Sequence, residues 1–340
     1  MNWLILAVLV LAAVNLAFAA LVVLLRVNNA RRAKRLQARK LVWYPRIIAL
    51  ISDGSVPESL TALVEPQEQG DVVEIAWDIA RRLRGTDHSR VEEFATPLLQ
   101  MLIPDLKARR PETRARALQV VTALGGAEYE ETAVGFLDDP SPLVSLVAAR
   151  ALSQPSHALQ IGQVLDRLDR YERWSPALTS SMLAEVGMDA APAMRAHLDD
   201  NDRPTHARAA VARSLELLRD IEAASVAADQ LEDADAELIA ACLRLLSVVG
   251  TEAQAGAVRP LIDDDRFFVR GAAMTALGRL GSRDDATLIV GALDPDSPWV
   301  AIRATQALAA LHATADLADL VTNGGLPAEA AIETLYGGAA

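Results

Sequence analysis

Phe268-Val269-Arg270-Gly271-Ala272-Ala273-Met274-Thr275-Ala276-Leu277-Gly278-Arg279-Leu280-Gly281 is answered, thirty-one residues on, by Trp299-Val300-Ala301-Ile302-Arg303-Ala304-Thr305-Gln306-Ala307-Leu308-Ala309-Ala310-Leu311. With Val269 as the register residue, equivalents fall at Thr113, Val144, Ser175, Ala207, Leu238, Val269 and Val300, spaced 31, 31, 32, 31, 31 and 31. Eight residues after each stand Val121, Leu152, Leu183, Leu215, Leu246, Leu277 and Leu308. Four after come Ala117, Ala148, Thr179, Val211, Cys242, Ala273 and Ala304, all small. Seven before stand Leu106, Leu137, Leu168, Leu231, Ile262 and Leu293, and in the repeat of Ala207, where the spacing is 32, the apolar equivalent is Leu198, nine before. Agreement at fixed offsets across seven units identifies an internal repeat.

Offsets 0, +4, +8 and +11 share one face of a helix with 3.6 residues per turn, so each unit opens on an amphipathic helix. Small residues at +4 allow a neighbouring helix to approach. Gly125, Gly187, Gly250 and Gly281 at +12 are expected to end that helix in the left-handed conformation. A second helix of about ten residues follows, as over Asp284 to Leu293, and then an acidic turn. One such hairpin cannot bury its apolar face alone, and stacked hairpins share one core.

Outside this array the chain has two further characters. From Trp3 to Leu25 no charge occurs, and only Asn15 is strongly polar. As a helix this run reaches about 35 Å, enough to cross a hydrocarbon core of about 30 Å. Ala17-Phe18-Ala19 looks like a signal-peptide cleavage site, but no basic segment precedes the run, so a retained anchor is expected at 1–29. Arg26, Arg31, Arg32, Lys34, Arg35, Arg39 and Lys40 follow it, with no acidic residue before position 41. By the positive-inside bias the N-terminus faces outward and the body faces the cytoplasm, as a single-pass protein of the inner (plasma) membrane. The basic segment 30–50, with Trp43 and Tyr44 and ending at Pro45, is placed near the membrane surface.

Residues 41–340 hold 26 basic and 45 acidic side chains, a net charge of −19. A body this acidic is repelled by nucleic acid, which removes nucleic-acid binding from the candidate functions. Hydrophobic residues make up 51% of the chain but aromatics only 4%, so the apolar content is mainly Ala, Leu and Val. That composition favours an all-α fold. The single cysteine, Cys242, occupies a small core slot and has no disulfide partner in its own chain.

The Val269-Arg270-x-x-Ala273-x-x-Ala276-Leu277-Gly278-x-Leu280-Gly281 stretch resembles HEAT repeats, in the short form similar to those of phycobilin lyase proteins. The resemblance covers about residues 104–323, as seven repeats; 51–103 reads as a diverged helical cap and 324–340 as a C-terminal cap and tail. The basic residue after the register position recurs only as Arg114, Arg208 and Arg270, and Ser145 and Pro176 replace it in the second and third units. An anchor followed by such repeats is also similar to bacterial membrane-bound HEAT proteins associated with polysaccharide-synthesising glycosyltransferases. The resemblance therefore implies a protein partner, with an integral membrane enzyme of that kind as the first expectation. Its other branch implies a chaperone for a bilin-like chromophore, which would require a ligand-sized pocket.

One position before the register residue, bulky side chains recur as Leu143, Trp174, Phe268 and Trp299. Exposed, they would form a protein-binding stripe; buried, they would be packing between repeats. Asp138, Asp169, Asp199, Asp263 and Asp294, with Glu232 in place, recur in the acidic turns. They are expected to cap the next helix or to pair with Arg114, Arg208 and Arg270. Asp263-Asp264-Asp265 lacks the alternating spacing and turn that calcium needs. Histidines 88, 157, 197, 206 and 312 suggest no metal site, and no nucleotide-binding, nucleophile-elbow or C-x-x-C motif is present. The expectation is a binding scaffold without catalytic, cofactor or metal residues.

Overall fold

The computed structural model describes residues 2–53, 57–233, 235–293, 297–324 and 326–336, with the side chains of 2–15 and of a few later positions outside that description. Among the described residues every regular element is helical. The chain divides into two compact units, residues 1–131 and 132–340.

In the first unit one helix, Asn2–Asp53, runs for 52 residues and continues through Pro45. Proline removes the donor to Leu41 and normally breaks a helix interior. Here Leu41 and Pro45 both lie on the exposed face, so the freed carbonyl is open to solvent. The expected membrane segment, 3–25, lies largely outside the described side chains. Among the described residues no helix is long and apolar enough to cross a membrane.

The 30–50 segment differs from its expectation at its far end. Trp43 is 1% exposed, packs 6.5 Å from Phe94 and donates from Nε1 to Glu68 at 3.1 Å. Ile47 and Leu50, one and two turns on, are fully buried. Arg39 pairs with Glu68 and Lys40 with Asp78, so the last basic residues of the segment belong to the helical body. Arg90 closes the helix by donating to the carbonyls of Leu50 and Ile51. Helices Gln69–Ala80, Gly85–Ala95 and Pro111–Leu124 complete this core with Val72, Ile75, Val91 and Leu118.

The second unit is an array of helical hairpins. Their lead helices are Pro142–Leu152, Pro176–Ala184, Thr205–Leu218, Ala236–Val249, Phe267–Leu280 and Pro298–Ala310. From Pro176–Ala184 onward each packs on the next. The +4 residues are buried in all seven repeats and the +8 residues are fully buried. Each fully buried leucine contributes about 1.5–3 kcal/mol relative to exposure. The register residue is the third residue of its helix in six repeats. In the remaining one Ser175 is the N-cap, and the helix starts at Pro176. The second helices are shorter than expected: 283–293 resolves into a 3-10 turn, Arg283–Asp285, and a helix over Ala286–Gly291.

The glycine expectation requires correction. Only Gly187 has a positive φ, at 91°; Gly125, Gly250 and Gly281 sit at −106°, −72° and −76°. Those three end their helices by donating four residues back, to Val121, Leu246 and Leu277. What they require is room. A Cβ on Gly250 would lie 2.8 Å from Leu280, and one on Gly281 would lie 2.6 Å from the Asp285 carboxylate.

Candidate protein-binding surface

Leu143, Phe268 and Trp299 share one helical position, the second, because the register residue is third in its helix, whereas Trp174 precedes the N-cap Ser175. Leu143 is 41% exposed, Phe268 37% and Trp299 46%, while Trp174 is half-buried. Packing between repeats does not cover them.

Trp299 is nonetheless held firmly. Its Nε1 lies so close to Gly271 of the preceding repeat that a Cβ there would stand 2.7 Å away, and Arg303 lies over its ring at 4.3 Å. Phe268 meets Phe267 edge-on at 5.8 Å. Phe267 and Ile302, both exposed, extend this apolar area, and the sequence reading passed over them. Their signal was present in the Phe267-Phe268 doublet at the helix start. The row is not continuous: the equivalent positions in the intervening repeats are His206 and Glu237.

The acidic turns work differently from the expectation. Asp138, Asp169, Asp199, Glu232 and Asp263 are exposed, and Asp294 lies outside the described residues. The turn-closing carboxylate is the residue that follows. Asp139 accepts from the Ser141 N–H at 2.8 Å, Asp200 from Asp202 at 3.1 Å, Asp233 from Asp235 at 2.7 Å and Asp264 from Arg266 at 2.9 Å. The acidic doublets carried that signal. Asp138 instead pairs with Arg167 through two bonds, at 2.9 and 2.8 Å, whose guanidinium holds its carboxyl below the usual range. The Arg266 guanidinium does the same for Asp264.

Arg208 pairs with Asp233 at 3.2 Å, the neighbour of the expected Glu232. Arg114 and Arg270 donate to backbone carbonyls, of Ala108 and Arg109 and of Asp264 and Asp265. Ser145, which stands at the position of these arginines, donates to the Leu137 carbonyl at 2.6 Å. His88 pairs with Glu92 at 3.5 Å, one helical turn away, a partner the sequence reading overlooked. Among the described residues no group of three or more His, Cys, Asp or Glu is placed to hold a metal.

One cavity of about 40 Å³ opens beside Trp174. It is far below the several hundred Å³ that a chromophore-sized ligand occupies.

Residues 224–309 match the family profile of HEAT repeats. No curated protein sequence matches the chain. Among solved structures, the karyopherin Kap121p bound to RanGTP is similar at 13% identity with a TM-score of 0.49, covering 82% of this chain and 38% of that one. Kap121p bound to the extreme C-terminus of the protein phosphatase Cdc14p aligns with a TM-score of 0.49 and 13% identity, over 81% of this chain and 38% of that one. The chain thus spans under two fifths of the length of these structures, and identity this low transfers no partner. What stands is an all-α array of helical hairpins among the described residues, with HEAT repeats matched over residues 224–309.

Proposed function

We propose that this chain is a non-enzymatic HEAT-repeat scaffold, held at the inner face of a membrane through residues 3–25, whose partner is a protein. The observation that carries the binding role is the set of half-exposed aromatic side chains at one repeat position, above all Trp299 and Phe268. Exposed large apolar groups on a rigid support are the usual centres of interface energy. A membrane anchor raises the effective concentration near a membrane-bound partner, for which a polysaccharide glycosyltransferase is the first candidate. The uncharged run before Arg26 supports the anchor, and the basic residues after it support a cytoplasmic body.

The test is partner capture by the full chain in intact cells, by crosslinking and mass spectrometry. The triple variant Trp174→Ala, Phe268→Ala, Trp299→Ala is expected to lose the captured protein while keeping its melting temperature. Capture that survives the triple change removes these residues from the interface. Unfolding of the variant makes them structural instead. Turnover in the purified chain that is lost on changing one polar side chain overturns the non-enzymatic reading.

A further inference from the structure

We propose that a second copy of this chain covers the exposed face of the N-terminal helix, the two helices lying parallel. The proposal rests on the anchor reading above for that orientation, because copies held in one membrane by the same segment point the same way. In its far half the helix Asn2–Asp53 carries two apolar faces, and the first unit uses one of them, burying Trp43, Ile47 and Leu50. About a third of a turn around the helix, Val27, Lys34, Gln37, Leu41, Tyr44 and Ile48 form a second line, all of them exposed. With Ala30 after Val27, the steps along it are 3, 4, 3, 4, 3 and 4. A spacing that averages 3.5 is the one that keeps two helices facing each other as they wind. It continues back through Val23, Ala20 and Leu16, so the line runs unbroken from the uncharged run into the body.

Lipid does not cover this line. The helix is continuous, so Leu41, 77% exposed, stands about 24 Å beyond Leu25, and still about 18 Å beyond it along the normal of a membrane at a 40° tilt. A headgroup layer is only about 5–8 Å deep. Parallel copies, by contrast, bring each residue of the line against itself, so an apolar position meets an apolar position throughout. Lys34 is the one charged member, and a single lysine in such a line fixes register and copy number at a cost in stability. From Leu16 to Ile48 the line runs about 48 Å; a strip about 10 Å wide covers roughly 1,000 Å² over two copies, the size a specific contact needs. Arg31 and Arg35 flank the line and repel their own copies, a cost that salt screens beyond about 8 Å.

The experiment uses the full chain in native membranes, with Cys242→Ala removing the natural thiol and one new cysteine per variant. Leu41→Cys, Tyr44→Cys and Ile48→Cys lie on the line; Arg35→Cys and Val42→Cys lie off it. A short bis-maleimide is expected to link chain to chain at the first three positions at least about threefold more than at the other two. Adding Leu41→Glu, a change at an exposed site, should abolish the link at Ile48→Cys while the melting temperature is kept. Equal linking at all five positions, no linking, or linking to a different protein overturns the proposal. So does linking that survives Leu41→Glu. Carbonate extraction of the same samples reads the anchor separately. A chain released from the membrane that still links along the line overturns the anchor alone, and a retained chain that does not link there overturns the pairing alone.

Discussion

Arg208 is 1% exposed and spreads its guanidinium over the Leu198 carbonyl at 3.1 Å, Asn201 at 2.8 Å, Asp233 at 3.2 Å and Gln230. Removing one partner of a buried pair leaves the other charge uncompensated, so Arg208→Ala is expected to cost about 3–5 kcal/mol in urea unfolding. Arg208→Met, which keeps the volume, should cost less than Arg208→Ala. His197 is buried, and burial pushes its pKa down to about 4. The unfolded chain binds that proton below pH 6.5 and the native chain only below about 4, so between these values stability falls as pH falls. The full chain should therefore melt at a lower temperature at pH 5 than at pH 7, and His197→Leu should shrink that difference. A difference unchanged by the substitution would place the titrating group elsewhere. Cys242, whose thiol burial pushes up to about 12, should resist thiol reagents until the protein unfolds. Its placement was legible from the repeat alone, because +4 is a core slot in every unit.

At the scale of the element, two neighbouring lead helices depend on a side chain that is absent. A Cβ on Gly278 would stand 2.7 Å from the Ala307 Cα, so Phe267–Leu280 and Pro298–Ala310 meet nearly backbone to backbone there. Gly278→Val is expected to force them apart and to destabilise by about 1–3 kcal/mol, seen as a lower denaturant midpoint. An unchanged midpoint would mean that the helices slide freely at this contact. The same helix starts carry the aromatic surface, so packing and binding are separable by position: Gly278 lies three turns from Phe268. The sequence identified the four bulky residues and their common register. It left open whether they were covered, because a residue at the second helical position lies at the edge of the buried face and neighbouring repeats decide its exposure. The capping aspartates were missed for a related reason. In an acidic doublet both residues have the right chemistry, and only the turn's backbone selects the second.

Across the whole molecule, the end of the N-terminal helix belongs to the first unit. Arg39, Lys40 and Trp43 are fixed there, so a truncation that tests the proposed anchor must leave them in place. Deleting residues 1–29 is expected to move the protein from the carbonate-resistant membrane fraction to the soluble fraction, with its melting temperature kept. Recovery of the intact chain in the soluble fraction would overturn the anchor. The sequence placed Trp43 at a membrane surface because aromatic and basic residues beside an apolar run have that meaning. Its burial depends on Phe94 and Glu68, far along the chain, which local composition does not contain.

The sequence by itself determined the helical class, the 31-residue period, the buried +4 and +8 positions and the charge asymmetry between residues 1–40 and the rest. These are periodic or compositional properties, and a stacked hairpin repeats its environment as it repeats its sequence. Only the tertiary structure decided which aspartate closes each turn, why glycine ends three helices at negative φ, and that a small cavity opens beside Trp174. Each depends on an approach of a few ångströms between residues on different turns or different repeats, and spacing along one chain does not encode such distances.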